Sequence, residues 1–255
     1  MRRRARVALP PLAVVLALLG VWELYADRFD QPLTLPAPHA VAQALWDNRG
    51  YLSSNLGTTA EEVVLGIVAS LALGLLVALA IHFSPVLRRS LYPLAVGSQA
   101  IPIVVIAPLL VLWWGFGILP KIAVIALICF FPVLVTTADA LASVDPDQLK
   151  LLRTLDASRW QAFRWAEAPA ALPAAISGAK IALAVAVIAA FIAETQIGSS
   201  SGLGWEIVND SNALQTARAF AAAAVLWAFA LTCFYALALT ERRLAPWAFR
   251  SRGVA

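Results

Sequence analysis

Long apolar runs separated by short polar segments dominate the chain. They cover Val7 to about Tyr25, Val63 to Ile81, Leu91 to Trp114, Lys121 to about Ala138, Ala174 to about Ala193, and Ala219 to Leu239. Each approaches the ~20 residues that a helix needs to cross hydrocarbon, so six spans are predicted. The first run follows Met1-Arg2-Arg3-Arg4-Ala5-Arg6. No small-x-small site closes it, which favours an uncleaved helix over a signal peptide. Thr59-Ala60-Glu61-Glu62 has capping-box spacing and predicts that the second helix begins there or earlier. Ile101-Pro102 and Ala107-Pro108 predict a third span that is kinked or broken. Pro102 and Pro108 either open backbone groups toward a pathway or are kinks packed against neighbours. A tight external turn follows at 115–120, and Trp113 and Trp114 before it suit interfacial anchors.

The polar stretch Leu149 to Pro173, LKLLRTLDASRWQAFRWAEAPAALP, breaks this rhythm. It is too charged for hydrocarbon and reads as a helix, turn and helix on one side of the membrane. Leu149, Leu152, Leu155, Trp160 and Phe163 recur on similar faces, and Asp156-Ala157-Ser158 marks the break, with Ser158 capping the second helix. Arg2, Arg3, Arg4, Arg6, Arg88, Arg89, Lys150, Arg153, Arg159, Arg164, Arg242, Arg243, Arg250 and Arg252 all fall on one side of a six-span topology. The opposite side holds only Arg28, Arg49, Lys121 and Arg218. This bias places both termini and the polar island in the cytoplasm. The predicted organisation is a first helix and external amphipathic segment at 1–58, a core at 59–240 with its cytoplasmic loop at 139–172, and a basic tail at 241–255.

Composition agrees with a polytopic membrane protein: 61% hydrophobic residues, 13% charged residues and a mean hydropathy of +0.80. The formal charge of +4 is explained by membrane orientation, so no nucleic-acid partner is expected. Cys129 and Cys233 lie in apolar runs as packing residues. His39 and His82 are far apart without an evident carboxylate, and no metal site is expected. GxxxxGK(S/T) and HExxH do not occur and no pair of catalytic-type residues stands at helical spacing inside the spans, so neither a nucleotide site nor a catalytic set is predicted and no enzyme is expected.

Arg153, Thr154, Leu155, Ala157, Ser158, Arg159, Trp160, Gln161, Phe163, Arg164, Glu167, Pro169, Pro173, Ser177, Gly178 and Lys180 match, in register, a pattern close to RTLGASRWQxFRxVELPAALPxxxSGxK. The segment resembles the cytoplasmic coupling (EAA) loop of bacterial ABC importer permeases, and most of all the nitrate, sulfonate, taurine and pyrimidine-precursor group. TLPAPHAVAQAL at 34–45 resembles the external segment of the same group. Two departures stand out: Lys150-Leu151-Leu152 replaces Glu-Ala-Ala, and Asp156 replaces the turn glycine.

The resemblance implies an all-α integral membrane protein with six transmembrane helices, of type I ABC importer permease (MetI-like) architecture, in the bacterial inner membrane. It also implies separate ABC ATPase subunits, an extracytoplasmic solute-binding protein, and a second permease copy, most simply a homodimer. ATP and Mg would sit on the ATPase, with no cofactor on this chain. Leu155, Ala157, Trp160 and Phe163 would grip the ATPase, and Arg153, Arg159 and Gln161 would fix register around the Asp156-Ser158 turn. Pro169 and Pro173 would stiffen the return into the fifth span. Glu194 either lines an external mouth or gate or is an ordinary interfacial carboxylate. Lys180 either contacts solute or lipid or snorkels to the interface. The solute would be a thiamine pyrimidine precursor or a sulfonate, taurine or nitrate. The competing class is an ion-coupled secondary transporter, which needs a partnered ionisable group in the membrane; Lys180 is its only candidate and no intramembrane acid is evident for it.

Overall fold

The computed structural model describes residues 2–29 and 34–244, and every regular element among them is helical. In order they are α1 (Arg2–Phe29), α2 (Pro38–Asp47), α3 (Arg49–Phe83), α4 (Pro85–Ser98), α5 (Ile103–Trp114), α6 (Ile118–Ala142), α7 (Pro146–Thr154), α8 (Arg159–Ala162), a π turn (Phe163–Glu167), α9 (Ala168–Gln196), α10 (Leu203–Asn212) and α11 (Thr216–Leu244). Four stretches among the described residues are long and apolar enough to cross a membrane: Arg49–Phe83, Ile118–Ala142, Arg159–Gln196 and Thr216–Glu241. The third predicted run is broken: α4 ends at Ser98, Pro102 is extended (φ −65°, ψ 116°), and α5 is a short apolar helix. Pro108 lies inside α5 without interrupting it. Most of the predicted basic tail, from residue 245 on, lies outside the described residues.

Two compact units are built from discontinuous stretches. One gathers the described residues up to Thr58 with Ser200–Trp227, the other Thr59–Ser199 with the described residues from Ala228 on. In the first unit, Val41, Leu52, Leu203, Ala221 and Ala222 form a buried cluster, joined by Ala44, Leu56 and Ile207. That packing explains why the helix takes the earlier of the predicted starts. The 49–58 stretch looks polar, yet Leu52 and Leu56 share one face that is covered by this cluster, so α3 begins at Arg49. Thr59 and Glu62 are therefore buried mid-helix residues, not a cap. The glycine-containing stretch between α9 and α10 is ordered as well. Gly198 (φ 70°) and Gly202 (φ 108°) make the turns, the Gly202 N–H donates to Asn55 Oδ1 at 2.8 Å within the first unit, and α10 follows.

The second unit is centred on α6 packed against α9. Ile125, Cys129 and Val133 meet Ala182, Ala186, Ala189 and Ala190, and the Cys129 thiol donates to the Ala182 carbonyl at 3.2 Å. Small residues let the backbones approach closely. A Cβ at Gly178 would lie 2.0 Å from Thr136 Oγ1 and 3.0 Å from the Pro132 carbonyl, which Thr136 already engages at 2.6 Å. Gly178→Ala is therefore expected to lower stability by about 1–3 kcal/mol through overpacking. A Tm in detergent within a degree of the parent would show that the two helices are further apart.

Candidate coupling segment and translocation pathway

The polar island folds as a helix, turn and capped helix. Asp145 Oδ1 accepts the Asp147 N–H at 2.9 Å to start α7. At the other end, the Ala157 N–H reaches the Leu152 carbonyl at 3.0 Å and the Asp156 N–H reaches the Arg153 carbonyl at 3.1 Å. This is the Schellman arrangement, and it requires a left-handed residue between the two helices. Asp156 is that residue, with φ 54°. Asp156→Gly is expected to stabilise the turn by about 0.5–1 kcal/mol, because glycine takes this conformation without a Cβ clash. Slower hydrogen exchange at the amides of Asp156 and Ala157 would report it; faster exchange would count against it. Ser158 then opens α8 with a reciprocal capping box: its Oγ accepts the Gln161 N–H at 3.3 Å, and Gln161 Oε1 accepts the Ser158 N–H at 2.7 Å.

Beyond α8, the Ala168 N–H bonds back to the Phe163 carbonyl, which makes a single π turn. Pro169 follows in the first turn of α9 and Pro173 lies inside that helix. Neither proline has an N–H, and the wider turn eases the ladder ahead of them. The proposed hinge thus lies within a helix continuous from Arg159 to Gln196.

Side chains of the polar island point two ways, and Leu155 and Trp160 are the members of the expected coupling set among its exposed large apolar groups. Leu151, Leu155, Trp160 and Trp165 are 60–69% exposed, which is unusual for large apolar groups on a loop outside hydrocarbon. Arg153, Asp156 and Ser158 are exposed, and Ala157 and Gln161 are half-buried. Arg159 and Phe163 instead engage the end of α3. The Arg159 guanidinium lies 5.4 Å from the Phe83 ring centroid and donates to the His82 carbonyl at 3.3 Å. Phe163 sits 5.1 Å from Phe83 and stacks with Trp160 at 5.3 Å. His82 Nε2 meets Glu167 Oε2 at 2.7 Å, both side chains being largely buried.

The expectation that neither histidine has a carboxylate partner is therefore corrected twice. In the first unit, His39 Nδ1 bonds Glu23, and that contact raises the imidazole pKa above its ordinary value. Glu23, half-buried, groups there with the exposed Asp27 and His39. These pairings join residues far apart in sequence, which spacing rules do not see.

A second cluster occupies the opposite end of the second unit. Glu194 is fully buried, and the Thr59 hydroxyl donates to its Oε1 at 2.6 Å. Lys121 Nζ donates to Glu62 Oε1 at 2.6 Å and to Ser199 Oγ at 2.7 Å. Glu194 is thus enclosed by protein, which its position at the end of an apolar run does not reveal. Sequence does not single out Glu62 and Lys121, because each sits near the end of an apolar run, where a charge is unremarkable. Lys180, for which the sequence shows no evident acid, pairs with Glu241, joining α9 to α11.

A cavity of about 510 Å³ opens at the α4–α5 break, lined by Gln99, Pro102, Ile106, Leu127, Phe131 and Ile188 among others. None of its lining side chains is charged. Pro102 belongs to it, whereas Pro108 does not line it.

In the first unit, α10 carries Glu206 and Asp210, both buried, with Arg218 Nη2 3.6 Å from Glu206 and Nε 3.4 Å from Asp210; Tyr51 donates to Glu206. Burial raises both carboxyl pKa values despite the single guanidinium. A raised folded-state pKa contributes stability that is fully present below the ordinary carboxylate range and is lost as pH rises through the folded values. Hydrogen-exchange protection of α10 is thus expected to be higher at acidic pH than at neutral pH, with the difference reduced in Glu206→Gln. Protection that rises with pH would contradict this.

Residues 70–246 match the family model for binding-protein-dependent transport system inner membrane components. The chain is 32% identical over 246 residues to the formylaminopyrimidine transport permease ThiX of Halalkalibacterium halodurans, covering 96% of this chain and 98% of that protein. It is 29% identical over 252 residues to the taurine transport system permease TauC of Escherichia coli, covering 96% and 90%. Two solved structures share the fold. An amino acid ABC transporter determined with histidines aligns with TM-score 0.65 at 18% identity, covering 79% of this chain and 98% of that one. The inward-facing MetNI methionine ABC transporter aligns with TM-score 0.60 at 15% identity, covering 83% and 97%. The long apolar helices, the folded polar island between α6 and α9, and these matches over most of the chain lead to one conclusion: this multi-pass inner-membrane protein is a member of the binding-protein-dependent transport family, the permease subunits of ABC importers.

Proposed function

We propose that the chain, as one of two permease copies, forms half of a translocation pathway crossed six times per subunit, with both termini in the cytoplasm. Separate ATPases carrying ATP and Mg would dock on the α7–α8 segment, and an external binding protein would deliver solute. The carrying observation is the exposed apolar set Leu151, Leu155 and Trp160 on a capped helix–turn–helix, a surface too apolar to be left in water. Alternating access follows: the cavity opens outward when ATP closes the motor and inward after hydrolysis.

The cavity refines the solute. Sulfonate, taurine and nitrate carry anionic groups that would be poorly solvated by Ile106, Leu127, Phe131 and Ile188 with no cation among the lining residues. A neutral, flat heterocycle suits the same walls, with Phe131 for ring contact and the Gln99 amide for a donor–acceptor edge. A thiamine pyrimidine precursor of the formylaminopyrimidine type, the solute named for the Halalkalibacterium halodurans relative, has this chemistry.

Proteoliposomes holding the permease, its ATPase and its binding protein are expected to accumulate labelled formylaminopyrimidine only with internal Mg-ATP, and to accumulate no taurine. Uptake driven by an ion gradient without ATP would overturn the coupling reading. ATP-dependent taurine uptake would overturn the solute.

A further inference from the structure

The end of α3 and the start of the α9 helix are fastened by groups that neither the ATPase face nor the cavity uses. Glu167 is the last residue of the π turn, and its carboxylate meets His82 at 2.7 Å in a largely buried setting. Arg159 and Phe163, two turns and one turn earlier, close on His82 and Phe83 from the same side. Helical spacing alone puts residues 159, 163 and 167 on one face. The wider turn leaves Pro169 just beyond them, so the fastened face ends where the ladder first loses a donor.

α3 is well suited to carry a displacement applied there. It runs without a break from the fastened end to the buried cluster of Thr59, Glu62, Lys121 and Glu194. His82 and Glu62 are about 30 Å apart along the axis at 1.5 Å per residue. Its contacts with α6 run through Gly66 and Gly74, where a Cβ would come within 2.4 Å of Ile125 and 2.9 Å of Val133. Such close backbone packing allows a helix to slide or tilt as a body more readily than to bend.

We propose that the His82–Glu167 pair, braced by Arg159 and Phe163, is the joint through which movement of the coupling segment displaces α3. His82 and Glu167 are then positioning residues for transport: they touch neither solute nor nucleotide, and they set how much of the ATPase stroke reaches the outer cluster. The inference rests on the α7–α8 segment being the ATPase seat.

The test uses the full chain in complex with its ATPase in lipid nanodiscs. Cys129 and Cys233 are replaced by alanine, and Glu61→Cys supplies one reporter thiol at an exposed position. The readout is the change in maleimide labelling rate on adding Mg-ATP and vanadate, which needs no solute. In the parent a clear change is expected. In Glu167→Ala and in His82→Ala the ATPase stays bound and hydrolyses ATP, but the change shrinks about tenfold, within the usual range of coupling factors. Exchanging the two residues, His82→Glu with Glu167→His, restores it.

A second variant keeps the inference falsifiable if an alanine substitution loses the complex. His82→Cys with Glu167→Cys is expected to behave as a broken joint until a short thiol cross-linker bridges the pair, and cross-linking then recovers the response. Because that protein carries further cysteines, its reporter is a spin label placed at position 61 through an unnatural amino acid. An unchanged response in both alanine variants, no response in the parent, or a bridge that fails to recover it each overturns the joint. Loss of the seat is seen separately, as Trp160→Ala that still retains the ATPase.

Discussion

Lys121→Met is expected to destabilise the protein by about 3–5 kcal/mol, the cost of leaving a buried carboxylate without its counter-ion. Lys121 is 7% exposed, Glu62 1% and Glu194 0%, so solvent offers little compensation. Among the described residues the Lys121 ammonium is the only cation bonded to Glu62, and Glu62 Oε2 has no hydrogen-bond partner. Removing Lys121 therefore removes the attraction and keeps the desolvation penalty. Adding Glu62→Gln should recover part of the loss, since the uncompensated charge goes with it. Thermal unfolding of the single and double variants decides the matter. A single variant within about 1 kcal/mol of the parent would mean the cluster is wet, since exposed pairs are worth no more. The double variant being worse than the single would mean the two residues act through separate partners.

Trp160→Ala combined with Leu155→Ala carries the other large expected effect. Buried aromatic anchors typically contribute about 2 kcal/mol or more at an interface, roughly a thirtyfold change in affinity. Both side chains stand 60–69% exposed and so have surface to bury on a partner. The variant should insert and purify normally yet lose the ATPase, as read by co-purification and by direct titration with purified ATPase. Retained binding would move the seat elsewhere. Arg159→Glu is expected to act differently. Its guanidinium is committed to Phe83 and His82, so its replacement should loosen the segment from α3 and weaken ATPase binding less than the apolar pair does.

These two expectations draw on different kinds of information. The helix–turn–helix of the polar island was legible because its signals are local: Ser158 caps the helix that follows it, and Asp156 stands at the break, where it takes the left-handed position. The break at Pro102 was legible for the same reason, since a proline restricts its own neighbours. The ion pairs were not. Lys121 meets Glu62, Lys180 meets Glu241 and His82 meets Glu167 across separations of 59, 61 and 85 residues. No periodicity or spacing relates such positions, so none of these charges reveals its partner.

Arg159 shows the limit within a motif. The pattern identified the residue but not its direction, because a residue on a short helix faces partner or self according to what the rest of the chain brings beside it. Here that is the end of α3. The start of α3 shows the reverse case: the sequence left it open how far before Thr59 the helix begins, and burial of Leu52 and Leu56 carries it back to Arg49.

Hydropathy, proline placement and the polar island thus determined by themselves that this chain is a helical multi-pass membrane protein with a folded polar segment between two of its apolar helices, because water, hydrocarbon and backbone sterics act on each stretch independently. Which charges neutralise one another, which face of that segment is free, and where an uncharged cavity opens were decided only by the tertiary structure, because the energy of a buried ion depends on the partner placed within a few ångströms of it.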